Sequence, residues 1–259
     1  MTYFQAIILG LVQGFTEFIP VSSSGHLALI QSVFSLQNPL AYAIILHFGT
    51  FFSVLYFFRA KFIDLVRQIY IDFKNRKLNH TLILVIIATL PIVLVGLFIK
   101  DIVASFYQNH LVIAISFFLT SILLFLAASQ KQFMKKLAQI KPIDALVIGI
   151  FQLLAVLPGV SRSGATVSAS FLRQVNKKTA FYFSFLISLP ATFGALVIES
   201  HDLAGVTQLS LPIILVGIIT SFISGLLALK LFKNFIIKDK LVYFAIYTFI
   251  VGVITLMLS

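Results

Sequence analysis

The sequence predicts an all-α polytopic membrane protein, and three observations support this fold class. Of the 259 residues, 60% are hydrophobic and only 10% are charged, which is more apolar surface than a soluble core of this size needs. Six apolar segments are each close to the length of about 20 residues that spans a bilayer. Two further apolar segments are interrupted by proline, serine and glycine. We therefore expect a single membrane domain formed by residues 1–259.

The apolar segments divide into two kinds. Those without an interruption predict transmembrane helices, and they are residues 40–58, 81–99, 111–128, 179–198, 211–229 and 241–258. The interrupted segments are residues 3–35 and 143–171, where Pro20 and Pro158 would each end a helix. The second of these opens with a plausible helix start in which Asp144 is the expected cap. Each interrupted segment therefore predicts two helices joined by a break.

Positive charge is concentrated in a few loops. The formal net charge is +11, and 17 of the 19 Lys and Arg residues lie in residues 59–80, 129–142, 172–178 and 230–240. Positively charged loops are expected on the cytoplasmic side of a membrane. If residues 143–171 crossed the membrane once, these charges would divide ten to seven. If that segment enters and returns as a re-entrant hairpin, all 17 share one side. The charge pattern therefore favours the hairpin and a membrane surface, and it argues against nucleic acid as a partner.

The same interpretation applied to residues 3–35 predicts an inverted-topology repeat. Three transmembrane helices separate the two hairpins, so the hairpins would enter the membrane from opposite faces. The fold expected is two re-entrant helical hairpins plus about six transmembrane helices. Its pseudo-repeats are residues 1–128 and 143–259, each a hairpin followed by three spans. Irregular backbone inside a membrane is tolerated where it is buried in protein or lines a cavity, so the breaks predict a polar chamber.

The two breaks are related in sequence by a shift of 139 residues. One stretch carries a carboxylate and an imidazole, Glu17 and His26, and the other carries a guanidinium, Arg162. We interpret them as two halves of one site. The shift places Gly10, Gln13, Val21, Ser22, Ser24 and Gly25 on Gly149, Gln152, Val160, Ser161, Ser163 and Gly164.

The residue types at these breaks predict an anion site. Turns at residues 22–25 and 161–164 that lead into helices would present backbone N–H groups and hydroxyls, which together bind anions. Arg162 adds a planar fork of donors that suits phosphate. Glu17 and His26 would supply an acid–base pair, or a metal ligand with its partner. A carboxylate inside a bilayer costs about 2.5–3.5 kcal/mol, which makes Glu17 a functional candidate.

Structural interpretations of the same residues stay open at this point. Glu17 could be a buried hydrogen-bonding group or a proton-coupling site, and Arg162 could simply neutralise it. Runs of hydroxyls such as Ser22–Ser24 commonly join membrane helices. His47 is more often a packing residue than a ligand. The duplication favours the functional interpretation, because it places both breaks and opposite charges in one chamber.

Both motifs resemble the signatures of the undecaprenyl-diphosphate phosphatase family, the bacitracin-resistance proteins of the BacA/UppP type. The resemblance extends over the whole chain in length, order and segment layout, and it rests on residues 13–26 and 158–166. It implies hydrolysis of undecaprenyl diphosphate to undecaprenyl phosphate and inorganic phosphate, which recycles the lipid carrier for cell-wall polymers. It also implies a multi-pass protein of the cytoplasmic (inner) membrane whose active site opens to the outer face, and dependence on Mg²⁺ or Ca²⁺.

The resemblance assigns roles to individual residues. The expected catalytic residues are Glu17, Ser23, His26 and Arg162, with Ser23 either the nucleophile or a phosphate ligand. The expected substrate-binding residues are Gln13, Ser22, Ser24, Gly25, Ser161, Ser163, Gly164 and Thr166. Many members have a glutamate where this chain has Gln13, which leaves one carboxylate in the motif. A metal would therefore be held by Glu17 together with phosphate oxygens and water.

Two other functions share features with this sequence. The phosphatidate-phosphatase superfamily also has a Ser-Gly-His and a Ser-Arg sequence, but its second motif continues into a histidine and an aspartate, and residues 163–176 contain neither. A carrier or flippase for an anionic polyprenyl lipid is the alternative, since inverted repeats with broken helices are usual in transporters. The expected partners are a polyprenyl diphosphate substrate and membrane lipids, without nucleic acid, and a homodimer is one possible assembly.

Overall fold

The computed structural model of the protein describes residues 1–34, 39–98, 100–107, 109–199 and 210–258. Within these ranges the chain is helical and has no strand, apart from one isolated β-bridge between Lys135 and Val175. The predicted all-α class is confirmed. The helices are α1 (Tyr3–Phe18), α2 (Ser23–Phe34), α3 (Pro39–Phe57), α4 (Arg59–Lys74), α5 (His80–Phe98), α6 (Lys100–Phe106), α7 (His110–Ala128), α8 (Pro142–Leu154), α9 (Arg162–Leu172), α10 (Lys177–Glu199), α11 (Leu211–Ile237) and α12 (Leu241–Met257), with a short 3-10 helix at Leu137–Gln139.

Each of the six uninterrupted apolar segments coincides with a helix, namely α3, α5, α7, α10, α11 or α12. In the described part of the chain, α7, α10 and α11 are long and apolar enough to cross a membrane. Helix α3 continues, after a bend of 73°, into α4, and this bent pair is a fourth candidate. The protein is therefore a membrane protein with several helices able to span the bilayer. The number of about six spans stays a prediction.

The two interrupted segments form the helix pairs α1–α2 and α8–α9, with breaks at the predicted positions. Helix α1 ends at Phe18, before Pro20. Helix α8 begins at Pro142, so Lys141 is its N-cap and the expectation that Asp144 occupies the cap is wrong by three positions. Proline favours the first helical position because it has no N–H to leave unpaired there. The Asp144 carboxylate instead reaches back and accepts the Lys141 backbone N–H at 3.0 Å.

The helix pairs α1–α2 and α8–α9, called the two hairpins below for their order in the chain, pack on different partners. Helix α1 lies along α11, and α8 lies along α5. Helix α3 also contacts α11, and α10 also contacts α5. Helix α7 pairs with α12. Glycine permits the closest approaches: a Cβ on Gly10 would lie 2.9 Å from the carbonyl oxygen of Gly217, and one on Gly149 would lie 2.5 Å from that of Ala88. The first helix of each hairpin is therefore seated against a neighbouring long helix at a glycine.

A buried ion cluster closes the second hairpin at its base. The Asp144 side chain at the start of α8 has no exposed surface, and its oxygens contact Lys135 Nζ at 3.0 Å and Arg173 Nε at 2.7 Å. Arg173 directly follows α9. Because a buried carboxylate is tolerated only when it is paired, this contact holds the end of α9 against the start of α8. It thereby orients the helix whose first residue is Arg162.

Candidate active site

Glu17 is the centre of the predicted site. It lies in the last turn of α1 and is only 8% exposed. Its Oε2 atom accepts hydrogen bonds from Ser23 Oγ at 2.5 Å and from Gln13 Nε2 at 3.2 Å. Its Oε1 atom accepts a hydrogen bond from Arg162 Nη2, which also makes an ion pair between the two hairpins. The structure therefore brings Gln13, Glu17, Ser23 and Arg162 together, although Arg162 is 145 residues from Glu17 in the sequence.

Ser23 and Arg162 occupy equivalent positions in the two halves of the chain. Ser23 is the first residue of α2 and Arg162 is the first residue of α9, and the shift of 139 that aligns the breaks takes one onto the other. The serine binds one oxygen of Glu17 and the arginine binds the other. One carboxylate thus joins Ser23, a candidate nucleophile, to Arg162, a candidate phosphate ligand.

The turns predicted at residues 22–25 and 161–164 are each a residue before a helix followed by the first helical turn of α2 or α9, because α2 begins at Ser23 and α9 at Arg162. These two turns have the same internal hydrogen bonds. In each, the first serine Oγ accepts the backbone N–H of the glycine three residues later, at 3.3 Å in the first turn and 3.1 Å in the second. The same Oγ lies 3.2 Å from the hydroxyl two residues later in both turns. This is the N-terminal capping contact of a helix, so both turns direct a helix N-terminus toward the break. The residues are Ser22, Ser24 and Gly25 in the first turn and Ser161, Ser163 and Gly164 in the second.

The turns also contact each other. The Gly159 backbone N–H donates to Ser24 Oγ at 3.4 Å. Thr120 on α7 accepts the Ser161 N–H at 3.0 Å and donates to the Gly159 carbonyl at 3.0 Å. Gly159 has a φ of 102°, and a Cβ there would lie 2.6 Å from the carbonyl oxygen of Ile113, so a larger residue does not fit. Helix α7 therefore holds the second turn against the first.

Ser22 has a φ of 71°, a left-handed conformation that is unusual for a serine. Strained backbone of this kind costs about 1–3 kcal/mol and is found mostly at functional sites. Here it allows α2 to begin immediately after the break, which directs the Ser23 hydroxyl to Glu17.

Arg162 is also held by α10. Its Nη1 atom donates to Thr192 Oγ1 at 2.5 Å and to the Ser188 carbonyl at 3.5 Å. Thr166, expected to bind substrate, is fully buried, and its hydroxyl lies 2.5 Å from Ser184 Oγ, so it joins α9 to α10. The three α10 residues in these contacts, Ser184, Ser188 and Thr192, are spaced four positions apart and share one helix face. That repeat of hydroxyls in an apolar segment is visible in the sequence, but it lies outside both motifs.

His26 lies in a different hydrogen-bond network from Glu17. Its Nδ1–H donates to the Ser22 carbonyl at 2.7 Å, and its Nε2 atom lies 2.8 Å from the Tyr247 hydroxyl on α12. The ring also stacks on Tyr247 and meets Phe117 edge to face. Among the hydrogen bonds and ion pairs of the described residues, none joins His26 to Glu17. The imidazole instead anchors the first turn to α12.

His47 is the imidazole nearest to Glu17, although the sequence favoured a packing role for it. Its Nε2 atom lies 3.6 Å from Glu17 Oε2. Its Nδ1 atom lies 2.8 Å from the Ala43 carbonyl, which can only accept, so Nδ1 carries a proton and Nε2 faces the carboxylate. A histidine inside an otherwise apolar predicted span was the only sequence signal for it.

The sequence model of the family described as bacitracin resistance protein BacA matches residues 6–254, and this range contains both turns. The chain belongs to this family. A relative from Alkaliphilus metalliredigens (strain QYMF) is 41% identical over 100% of this chain and 99% of its own length. Relatives from Bacteroides fragilis (strain YCH46) and Carboxydothermus hydrogenoformans are 40% and 37% identical over 100% of this chain, and over 99% and 98% of their own lengths. All three carry the name undecaprenyl-diphosphatase.

In this BacA family member the described residues around Glu17 do not form a divalent-cation site by themselves. Mg²⁺ and Ca²⁺ take six or more oxygen ligands in proteins, usually with one or more carboxylates. Both oxygens of Glu17 already accept hydrogen bonds, one of them from the cationic Arg162. The described part of the chain contains no cluster of three or more His, Cys, Asp or Glu side chains that could hold a metal. The donor set therefore does not fit a cation held by the protein alone.

Proposed function

We propose that this protein is an undecaprenyl-diphosphatase, which hydrolyses undecaprenyl diphosphate to undecaprenyl phosphate and inorganic phosphate. Family membership and the names of full-length relatives support the activity and its role in recycling the lipid carrier for cell-wall polymers. The observation that carries the proposal is the Glu17 carboxylate, which bridges Ser23 and Arg162 across the two hairpins. A carboxylate base that contacts a hydroxyl on one side and a guanidinium on the other is an arrangement suited to phosphoryl transfer.

In the proposed mechanism Ser23 is the nucleophile. Its Oγ attacks the terminal phosphorus, the bond from that phosphorus to the polyprenyl phosphate breaks, and Glu17 accepts the hydroxyl proton. Glu17 passes this proton to the departing polyprenyl phosphate. It then accepts a proton from the attacking water and returns it to Ser23 Oγ as inorganic phosphate leaves. The short bond from Ser23 to Glu17 supports this assignment, because a base must lie within hydrogen-bond reach of the proton it removes.

Arg162 and the two turns would stabilise the phosphoryl group. Arginine has five N–H donors, and the described hydrogen bonds of Arg162 use its two terminal nitrogens, with Nε–H not among the donors. The guanidinium is therefore oriented by Glu17 and α10 while part of its fork stays available to phosphate oxygens. The N-termini of α2 and α9 add positive dipole ends on both sides of Glu17.

His26 can act as a general acid or base only if it releases Tyr247, because its Nε2 atom lies 2.8 Å from that hydroxyl and its Nδ1 atom is bonded to the Ser22 carbonyl. The contacts support a second role, in which His26 keeps the strained Ser22 backbone in place and so positions Ser23. Retained activity in a Tyr247→Phe variant, together with loss in His26→Ala, would favour the positioning role. A changed pH profile in Tyr247→Phe would favour proton transfer.

We also propose the inverted repeat for the membrane topology. In this repeat α1 corresponds to α8, and α3, α5 and α7 correspond to α10, α11 and α12. A twofold relation between the halves therefore exchanges the contact of α1 with α11 for the contact of α8 with α5. It likewise exchanges α3 on α11 with α10 on α5 and leaves the pair α7–α12 in place. These reciprocal contacts support two re-entrant hairpins and six spans. The basic loops would then face the cytoplasm, with the protein in the inner membrane and the site opening to the outer face.

A divalent cation stays a proposal that rests on the family resemblance alone. Because the protein residues do not complete a site, Mg²⁺ or Ca²⁺ would arrive bound to the diphosphate, whose oxygens supply the missing ligands. Binding of Mg²⁺ to the protein without lipid, measured by calorimetry, should then be undetectable at concentrations that support activity.

The experiment that tests the function is release of inorganic phosphate from undecaprenyl diphosphate by the purified protein in detergent. Wild type should release phosphate, and Ser23→Ala, Glu17→Gln and Arg162→Ala should release it far more slowly. Quenching the reaction in acid and digesting the protein should reveal a phosphoserine at Ser23. Folded wild type that binds the lipid without releasing phosphate would instead indicate a carrier or flippase, which the broken helices also suit.

A further inference from the structure

Helix α4 has 16 residues, and none of them is buried. It follows α3 after a bend of 73°, and all of Arg59–Lys74 is described by the structure. Four large apolar side chains on it are widely exposed: Ile63 (68%), Val66 (65%), Tyr70 (66%) and Phe73 (81%). We call these four residues the α4 apolar stripe. Exposed apolar groups on this scale usually mark a contact surface.

The side chains of α4 divide into three sectors around the helix axis, at about 100° per residue. Phe62 and Leu65 form one sector and pack on the hydrophobic core of the protein. The α4 apolar stripe forms the second sector, next to the first and about 80° wide. The remaining sector is mostly polar, and Arg67 and Lys74 lie at its edge beside the stripe. The helix therefore presents apolar side chains in two directions, of which only one is occupied by protein.

Charge on α4 favours one occupant for the stripe. The helix carries four basic and two acidic side chains, and neither Arg67 nor Lys74, which border the stripe, takes part in an ion pair within the described ranges of the chain. An apolar sector bordered by arginine and lysine is the pattern of helices that lie in the interface of a membrane rather than across it. Anionic lipid headgroups complement those cations.

The bend at the end of α3 gives α4 the orientation expected of a helix that lies along the membrane surface. Helix α3 is part of a candidate span, and a helix turned by 73° from a spanning helix runs nearly parallel to the membrane plane. We propose that α4 lies in the headgroup region of the leaflet next to the basic loops. The α4 apolar stripe enters the acyl region, and Arg67 and Lys74 contact the phosphates of anionic lipids. This interaction surface is separate from the substrate site at Glu17.

The chain has no cysteine, so single-cysteine variants can test the depth of α4 directly. Val66→Cys on the stripe and Gln68→Cys in the polar sector would be spin-labelled and reconstituted into phosphatidylcholine vesicles containing phosphatidylglycerol. The label at 66 should collide mainly with oxygen, which partitions into lipid. The label at 68 should collide mainly with a water-soluble nickel complex. Equal aqueous exposure at both positions would overturn the proposal.

A second result would overturn the proposed lipid contact, by showing that another copy of the chain covers the α4 apolar stripe. If a second copy of the chain covered the stripe, the label at 66 would be shielded from both reagents. It would also show spin–spin coupling that disappears when labelled protein is diluted with unlabelled protein. Lipid contact predicts no such coupling.

The lipid preference has its own test and control. Arg67→Gln/Lys74→Gln should lose preference for spin-labelled phosphatidylglycerol over phosphatidylcholine, by about fivefold for each cation removed. The matched control is Lys131→Gln/Lys136→Gln, which removes the same charge from another basic loop. Phosphate release in detergent should be unchanged in both variants, which shows that they fold. A loss of preference no larger than in the control would overturn the assignment of lipid contact to α4.

Discussion

Ser23 and Glu17 should behave as one catalytic unit, and a double substitution tests this most directly. The Ser23 hydroxyl donates to Glu17 Oε2 at 2.5 Å, which is the length of a charge-assisted hydrogen bond to a carboxylate. Glu17→Gln keeps the shape of the side chain but removes the base. General-base catalysis contributes roughly 10²–10⁴-fold, so kcat should fall by that factor.

Ser23→Ala removes the group that the base serves. It should therefore lower kcat at least as much as Glu17→Gln does, and the double variant should be no slower than the slower single variant. When two residues act in the same step, removing the second has little further effect on kcat once the first is gone. When they act independently, the two reductions in kcat multiply. Expressed as free energy, the coupling should equal the full effect of Glu17→Gln, about 3–5 kcal/mol at roughly 1.4 kcal/mol per tenfold.

The assay is release of inorganic phosphate from undecaprenyl diphosphate in detergent, with kcat and KM determined for each variant. Ser129→Ala is the matched control, because its hydroxyl caps the end of α7 on the exposed surface. Size-exclusion chromatography and lipid binding would confirm that the variants fold. If the two losses multiplied, or if Ser23→Ala kept wild-type kcat, the proposed proton transfer from Ser23 to Glu17 would be refuted.

Three further predictions follow from the contacts around the site. His47→Gln should lower kcat by about tenfold, which corresponds to roughly 1.4 kcal/mol, because the carboxylate of Glu17 loses a neighbouring imidazole. An unchanged kcat in the phosphate-release assay would assign His47 to packing. Asp144→Ala should destabilise the protein by about 3 kcal/mol, since it leaves two cations without their buried partner, and thermal unfolding in detergent would measure it. Gly159→Ala should cost at least about 2 kcal/mol, because its φ is 102° and a Cβ would meet the backbone of Ile113; wild-type thermal stability would contradict this.

Local features of the fold could be predicted because they depend on short stretches of sequence. Apolar segments of bilayer length became the six long helices, and prolines with serine and glycine became the two breaks. The cap of α8 was misplaced by three positions, since both the carboxylate and the proline are typical of helix starts and the backbone alone decides which residue precedes the first turn. Helix α4 was counted as part of a basic loop, because its charges hid an amphipathic pattern.

The site was predicted in part. The repeat of the motif indicated that Glu17 and Arg162 face each other, and the structure places them in contact. The partners of the two histidines were not predicted. His26 pairs with Tyr247, which is 221 residues away, while His47 reaches Glu17 from a helix that carries no motif.

The sequence by itself therefore determined the membrane character, the helices, the breaks and the family, since composition and local periodicity specify these. Only the tertiary structure decided which polar side chains meet inside the bundle. In a membrane the outer faces of the helices are as apolar as their buried faces, so the pattern of hydrophobic residues does not reveal which neighbour a helix contacts. Close packing at glycines and hydrogen bonds between distant helices make that choice, and they bring His47 and Thr192 to the two sides of the Glu17–Arg162 pair.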